Sequence, residues 1–380
     1  MDFVRYGIIG SGAAFRYHQR SIRYNPKIKF ISIFDTNESL GRSMARKNKM
    51  EYYNKLNEFL KSEIDAVIVM VPHYLHEKYV IAAAEAGKHV LCEKPMATTL
   101  EGCDLMIKVT KKAGIKFMIA ENHRFLPAHK YIMETVQSGL IGNVFLVRSY
   151  EGVNEIVGLM EKGFWKGDPV KAGGGSLMDM GAHKFATMNW ILNDTVESAY
   201  SWITKQCTTL EEKAEDNAMV FLKYNKGTIA ETVVSFTVVS PFNNSMEIYG
   251  TKGTIIENHE WENPVRIFSE HDDMGEFKGK WFEPVIEHGP ALTYYMISMG
   301  HQDDYFTECI LNDKEPEFTP EQAKEAIATV LMAYLSAKIG KTATRKELIE
   351  IYRKKGTKSI LEGLERIVHK NYYNILKSEN

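Results

Sequence analysis

The stretch Tyr6–Phe15, YGIIGSGAAF, decides how the first third of the chain is read. A short apolar run ends in Gly10-Ser11-Gly12 and passes into Ala13-Ala14-Phe15, a strand turning into a helix through glycines. Gly10 and Gly12 take the first two glycine positions of the pattern G-x-G-x-x-G/A. The first permits a tight turn, and the second lets a pyrophosphate approach the unpaired backbone N–H groups of the helix start. The third position holds Phe15, where a small residue normally lets helix and strand pack closely. Asp35 follows 23 residues after Gly12 and closes the run FISIFD, the place where an acid accepts the ribose hydroxyls of a dinucleotide.

Outward from this turn, the runs YGIIG, FISIFD, DAVIVMVP, HVLCEKP and IKFMIA alternate with helical patterns over Phe15–Tyr24, Leu40–Asn48, His76–Ala86 and Leu100–Ala113. Apolar runs without polar alternation suit strands buried on both faces, so the pattern predicts a doubly wound parallel sheet, an N-terminal Rossmann domain. The strand ending at Cys92 leads into Glu93-Lys94-Pro95. Ligands bind at the carboxyl ends of parallel strands, so a lysine there faces a cleft, although charged residues before a proline are also ordinary turn chemistry.

After Pro127 the pattern changes. One helix, His129–Gln137, leads to VFLVRSY, and strands follow one another from Ser198 to Phe268 with turn signals NKG and TKG between them. Such runs predict a C-terminal α+β domain on a large, mostly antiparallel, open-faced sheet. Helices are expected over Met299–Leu311 and Pro320–Ile339, with a charged tail from Thr357 to Asn380 that extends or packs as a last helix. The expected division is residues 1–123 for dinucleotide binding and 124–380 for substrate binding and oligomerisation. Strands such as TIAETVVSFTVV carry apolar residues at both parities, which predicts that the open face packs on another subunit as a homodimer or homotetramer.

Within the second part stands KAGGGSLMDMGAHKFATMNWIL, Lys171–Leu192. If the helix is under way at Asp179, its carboxylate and the His183 imidazole project from one face about one turn apart. A histidine titrating near neutrality is suited to proton transfer, and Asp179 could orient it or share the proton. From spacing alone, a carbonyl-satisfied helix histidine and an acid favoured by the helix dipole fit equally well.

With 380 residues, 44% hydrophobic and 25% charged, the chain has the composition of a two-domain globular protein. A formal charge of −2, from 47 basic and 49 acidic residues without a basic stripe, argues against nucleic acid. No apolar run approaches the length of a membrane span, and the N-terminus enters a strand without room for a signal peptide. Cys92, Cys103, Cys207 and Cys309 are scattered without ligand spacing, which fits a reducing cytoplasm and no metal centre. His271–Asp273 and His301–Asp304 contain metal-capable residues but repeat no ligand spacing.

GIIGSGAAF with His18, PHYLHEKYVIAAAEAGKHVLCEKP, Arg124–Pro127 and GGGSLMDMGAHKFATMNWIL, taken in order, resemble the Gfo/Idh/MocA family of nicotinamide-dependent sugar and cyclitol oxidoreductases. The resemblance implies an NAD site at Gly10, Gly12, Ala13, Ala14, Asp35, Pro72, His73, His76, Glu93 and Lys94. It implies catalysis by Lys94, Asp179 and His183, with Arg124 added around the substrate; Tyr150 and Trp165 could stack on a sugar face, although aromatics in so aromatic-rich a chain are more often core. His73 stands where family members often carry asparagine after the proline. The expected reaction is hydride transfer between a ring hydroxyl of a sugar, cyclitol or glycoside and NAD. Alternatives are glycoside cleavage by transient oxidation and elimination, and a silent NAD-binding sensor.

Overall fold

The structure, a computed structural model, describes residues 2–21, 25–208, 210, 213–240, 243–286 and 291–370. The chain forms two compact units, Met1–Phe125 with Tyr295–Lys324, and Leu126–Tyr294 with Glu325–Asn380. The first unit thus regains a segment from late in the sequence.

In the first unit β1 (Val4–Ile9), α1 (Ala13–Ser21), β2 (Ile28–Phe34), α2 (Glu38–Asn48), β3 (Glu51–Tyr53), α3 (Leu56–Leu60), β4 (Ala66–Val69), α4 (His76–Glu85), β5 (His89–Glu93), α5 (Leu100–Ala113) and β6 (Phe117–Ala120) follow in order. The sheet order β3-β2-β1-β4-β5-β6, with every pairing parallel, is that of a Rossmann fold. Local chemistry sets the helix ends: Asn37 accepts from the Leu40 N–H at the start of α2, and Thr99 does the same for Gly102 at α5. The returning segment completes the core. Phe306 joins Val4, Ile8 and Phe15, while the Tyr6 hydroxyl lies 2.9 Å from Thr307 Oγ1. Phe15 is fully buried, its ring centroid 6.0 Å from that of Phe30. The third fingerprint position is therefore filled by a bulky core residue, whose burial stabilises by about 1.5–3 kcal/mol.

In the second unit α6 (Pro127–Gln137), β7 (Val144–Gly152), α7 (Ile156–Leu159), α8 (Ala182–Leu192), β8 (Val196–Thr204), β9 (Asn217–Tyr224), β10 (Ile229–Ser235), β11 (Asn243–Gly250), β12 (Gly253–Asn258), β13 (Val265–Ser269), β14 (Trp281–Phe282) and β15 (Ala343–Thr344) build a sheet ordered β14-β13-β12-β11-β7-β10-β9-β8-β15. It is mostly antiparallel as expected, with β7 and β10 running parallel. Burial alternates along β9, so one face is packed and the other open. Two long helices, α9 (Ala291–Leu311) and α10 (Pro320–Ile339), precede β15. In the tail, short helices cover Lys358–Leu361 and Leu364–Lys370, and the expectation for residues 371–380 lies outside the described residues. Among the described residues, no helix is long and apolar enough to cross a membrane.

Candidate active site

The first unit builds its share at the carboxyl ends of its strands. Gly10 adopts φ +95°, and a Cβ there would lie 2.4 Å from the Met70 carbonyl oxygen, so this turn requires glycine. A Cβ at Gly12 would meet nothing within 4 Å, which leaves open space beside the start of α1. Asp35 is fixed by the same turn: its Oδ2 accepts from the Ser11 N–H at 2.8 Å and from the Ser11 hydroxyl, and its Oδ1 from the Asn37 N–H at 2.7 Å. An open glycine cradle at a helix N-terminus with an anchored acid across from it fits a dinucleotide's pyrophosphate and ribose. Ala13 and Ala14 open α1, where a small side chain leaves that approach clear.

Lys94 follows β5 and is half-buried, and its peptide bond to Pro95 is cis. Two histidines brace this turn. The fully buried His76 ring sets Nδ1 2.8 Å from the Pro95 carbonyl and Nε2 2.9 Å from that of Val71. Burial draws its pKa down, against two carbonyls that favour the charged ring. His18 places Nε2 2.9 Å from Glu93 Oε1 and Nδ1 2.8 Å from Asp303 Oδ2. Burial alone would lower the His18 pKa, but Asp303 and then Glu93 overcome it and raise it to about 10. Pro72 opens the single turn His73–Leu75, and the His73 ring is buried 5.7 Å from that of His76. Arg124 lays its guanidinium 4.4 Å over Phe318 and donates to Gln322 Oε1 at 3.0 Å, which gives it structural work within this unit.

The second unit holds Asp179 and His183 by different means. Gly174 adopts φ +148°, and a Cβ there would fall 1.9 Å from the Tyr334 hydroxyl; at Gly175 it would fall 1.7 Å from the Glu215 carbonyl oxygen. The chain therefore runs against β9's approach, and only glycine fits. The Glu215 carboxylate receives it: Oε1 accepts from the N–H groups of Gly175 at 3.0 Å and Leu177 at 2.9 Å, and from the Tyr334 hydroxyl at 2.8 Å. Burial pushes Glu215 up to about 7 in spite of these donors.

From there Leu177–Gly181 forms a π-helical turn that continues into α8. The helix is thus under way at Asp179, as the four-residue spacing to His183 requires, but its first turn is wide. Such turns recur at functional sites. Asp179 and His183 are 7% and 3% exposed. Lys166 brings Nζ within 3.1 Å of both Asp179 Oδ2 and Glu155 Oε1. Burial would lower the Lys166 pKa, yet the two carboxylates hold it above its ordinary value.

The remaining aromatic candidates separate. Ser149 faces α8, with Oγ 3.7 Å from Met188 Sδ, so the alternation of β7 turns Tyr150 to the opposite face with Arg148. The structure does not bring Tyr150 to α8. Trp165 is half-buried in the loop beside Lys166. Sequence reasoning missed Lys166, which lies in the GFWKGDP loop read only for its tryptophan, and Glu215, which stands in a charged run without a motif. Asp303 of the HQDD stretch is paired with His18, and His271 caps a short turn through the Asp273 N–H at 3.3 Å.

Residues 4–121 match the family described as "Oxidoreductase family, NAD-binding Rossmann fold", and residues 129–256 match the GFO/IDH/MocA C-terminal domain. Among similar proteins, 1,5-anhydro-D-fructose reductase of Ensifer adhaerens is 27% identical over 89% of this chain and 98% of its own length. Myo-inositol 2-dehydrogenase of Thermotoga maritima is 29% identical over 88% of this chain and 96% of its own. A levoglucosan dehydrogenase solved with NADH and levoglucosan shares the fold at TM-score 0.79 and 20% identity, over 90% of this chain and 99% of that one. The chain belongs to the GFO/IDH/MocA oxidoreductase family, and its first unit is that family's NAD-binding Rossmann fold.

Proposed function

We propose that this protein transfers hydride between a ring hydroxyl of a sugar, cyclitol or glycoside and NAD, with Lys94, Asp179 and His183 as its catalytic groups. The observation that carries the reading is the start of α8, where a carboxylate and an imidazole four residues apart are both more than nine-tenths buried. Lys166 pairs with Asp179 there, and Glu215 receives the Gly175 and Leu177 N–H groups of the segment that leads into the turn, so the buried polar groups are stabilised in place. The relatives named for an anhydrosugar and an inositol support the substrate class.

Bound NAD supplies the hydride acceptor. His183 takes the hydroxyl proton, and Asp179, held against the Lys166 ammonium, orients the ring or shares the proton. Lys94 carries positive charge from the end of β5 toward the developing alkoxide. Gly12 and Asp35 seat the dinucleotide. The anchored Asp35 carboxylate would repel a 2′-phosphate, and Thr36-Asn37 offers no arginine to neutralise one.

The test is the purified protein with NAD and a panel of free sugars, inositols and glycosides, followed at the nicotinamide absorbance band. At least one ring polyol should reduce NAD, and NADP should serve worse. No turnover on any member, or a preference for NADP, counts against the reading. The open face of the sheet exposes Trp202, Phe221 and Ile229, an apolar patch suited to a second copy of the chain. A monomeric mass at micromolar concentration would exclude that assembly.

A further inference from the structure

In the second unit, α6 and the end of β12 bring three buried groups together that the hydride chemistry does not use. His129 Nε2 lies 2.8 Å from Glu257 Oε1, and His259 Nε2 lies 2.5 Å from the same oxygen. The residues His129, Glu257 and His259 are 0%, 1% and 2% exposed. Glu257 lies next to the last residue of β12, His259 stands one residue beyond the strand, and α6 supplies His129 from across.

We propose that His129, Glu257 and His259 form a divalent transition-metal site, with Zn2+ the ion its donors suit best. The candidate ligand atoms, one from each residue, lie within 4.8 Å of one another. Zinc held at about 2.0–2.1 Å from imidazole nitrogen and carboxylate oxygen needs its ligands a little over 3 Å apart, so slight rotations of the three side chains admit it. Two imidazoles and a carboxylate select zinc and its late first-row neighbours over calcium or magnesium, which prefer all-oxygen shells.

A second observation points the same way. The other carboxylate oxygen, Glu257 Oε2, is buried with no hydrogen-bond partner among the described residues, a costly state that a second metal–oxygen bond relieves. The nearby buried ammonium does not meet that need: Lys184 donates to Asn244 Oδ1 at 2.6 Å and to the Ser245 carbonyl at 3.2 Å. The Tyr294 ring covers His259, with centroids 4.6 Å apart and planes 30° from parallel, which keeps the donor set dry. The ion would tie α6 to the sheet within this unit, a structural role separate from hydride transfer.

The test uses the whole protein expressed in zinc-supplemented medium, dialysed against metal-free buffer and measured for metal by plasma mass spectrometry. About one zinc per chain is expected, and less than a tenth of an equivalent overturns the proposal, leaving a proton-sharing cluster in its place. In His259→Ala, checked for folding by circular dichroism, the zinc should be lost while NAD affinity is unchanged. Full retention of zinc in that variant overturns it as well. Should the variant fail to fold, cobalt titrated into chelator-treated wild-type protein decides: a saturable visible absorption band at one equivalent supports the site, and its absence overturns it. These readouts do not depend on turnover, so they fail or succeed independently of the proposed reaction.

Discussion

In the first unit Lys94 stands where a parallel strand stops, at the strand ends where ligands bind in such sheets; in the second, Asp179 stands on a wide helical turn whose Leu177 N–H a buried carboxyl group receives, and His183 follows at the start of α8. The first arrangement is braced by a histidine that gains a proton's charge, His18 between Glu93 and Asp303. The second is braced by Glu215, an acid whose charge burial disfavours. Both contributions are therefore lost as pH rises, in neighbouring windows: from 4.5 through 7 for Glu215 and from 6.5 through 10 for His18. They also use glycine differently, for clearance from the chain's own atoms at Gly175 and for open space at Gly12.

The hardest blow to the second arrangement is Gly175→Ala, because the new Cβ would lie 1.7 Å from the Glu215 carbonyl carbon's oxygen and backbone must move. Thermal unfolding should show a loss of about 3 kcal/mol or more, in the range of strained or overpacked buried sites. Unfolding within about 0.5 kcal/mol of the parent would show that the glycine run is not under this constraint.

His18→Gln comes next and addresses the first unit. The folded His18 pKa, about 10, stands above the ordinary 6.5, so the folded state binds that proton more tightly. Its contribution is complete below pH 6.5 and is lost as pH rises toward 10. Denaturant midpoints should place the variant about 2–3 kcal/mol below the parent at pH 6, with the gap narrowing at pH 10. A gap independent of pH would remove the charged-histidine account.

Glu215→Gln is expected to have a smaller effect with its own window. The folded pKa of about 7 lies above the ordinary 4.5, so this group's contribution is complete below 4.5 and declines as pH rises through 7. The amide keeps an oxygen for Gly175, Leu177 and Tyr334 but carries no charge. Stability measured from pH 4.5 to 8 should fall in the parent by about 2 kcal/mol more than in the variant. Parallel curves would contradict the buried-acid reading.

Gly12→Ala should do least to the fold and much to ligand. With no atom within 4 Å of the new methyl, unfolding should change by less than about 0.5 kcal/mol, while NAD affinity measured by calorimetry falls about tenfold or more. Unchanged NAD affinity would move the pyrophosphate away from this turn.

What the sequence made legible follows the same contrast. Five of the six strands of the parallel sheet could be read from apolar runs, and the dinucleotide turn from the Gly10–Asp35 spacing, because both are local patterns; β3, Glu51–Tyr53, carries no such run. Phe15 was readable as an exception to the fingerprint, but its partner Phe30 comes from the next strand, so only the fold shows the cavity it fills. Glu215 reaches Gly175 across 40 residues of chain, and the segment Tyr295–Lys324 returns to the first unit from the far end; no periodicity announces either. The wide turn at Leu177–Gly181 was hidden because its residues carry an ordinary helical pattern.

The most direct test is the rate of NAD reduction in a single turnover, on the substrate found in the panel, for the parent, Lys94→Ala and His183→Ala. A loss of about a hundredfold or more is expected in each variant, the usual scale for a positioned acid–base group, with NAD affinity and the unfolding midpoint of His183→Ala close to the parent's. A folded His183→Ala protein that binds NAD and still reduces it within about threefold of the parent rate would contradict the account and return the start of α8 to a structural role.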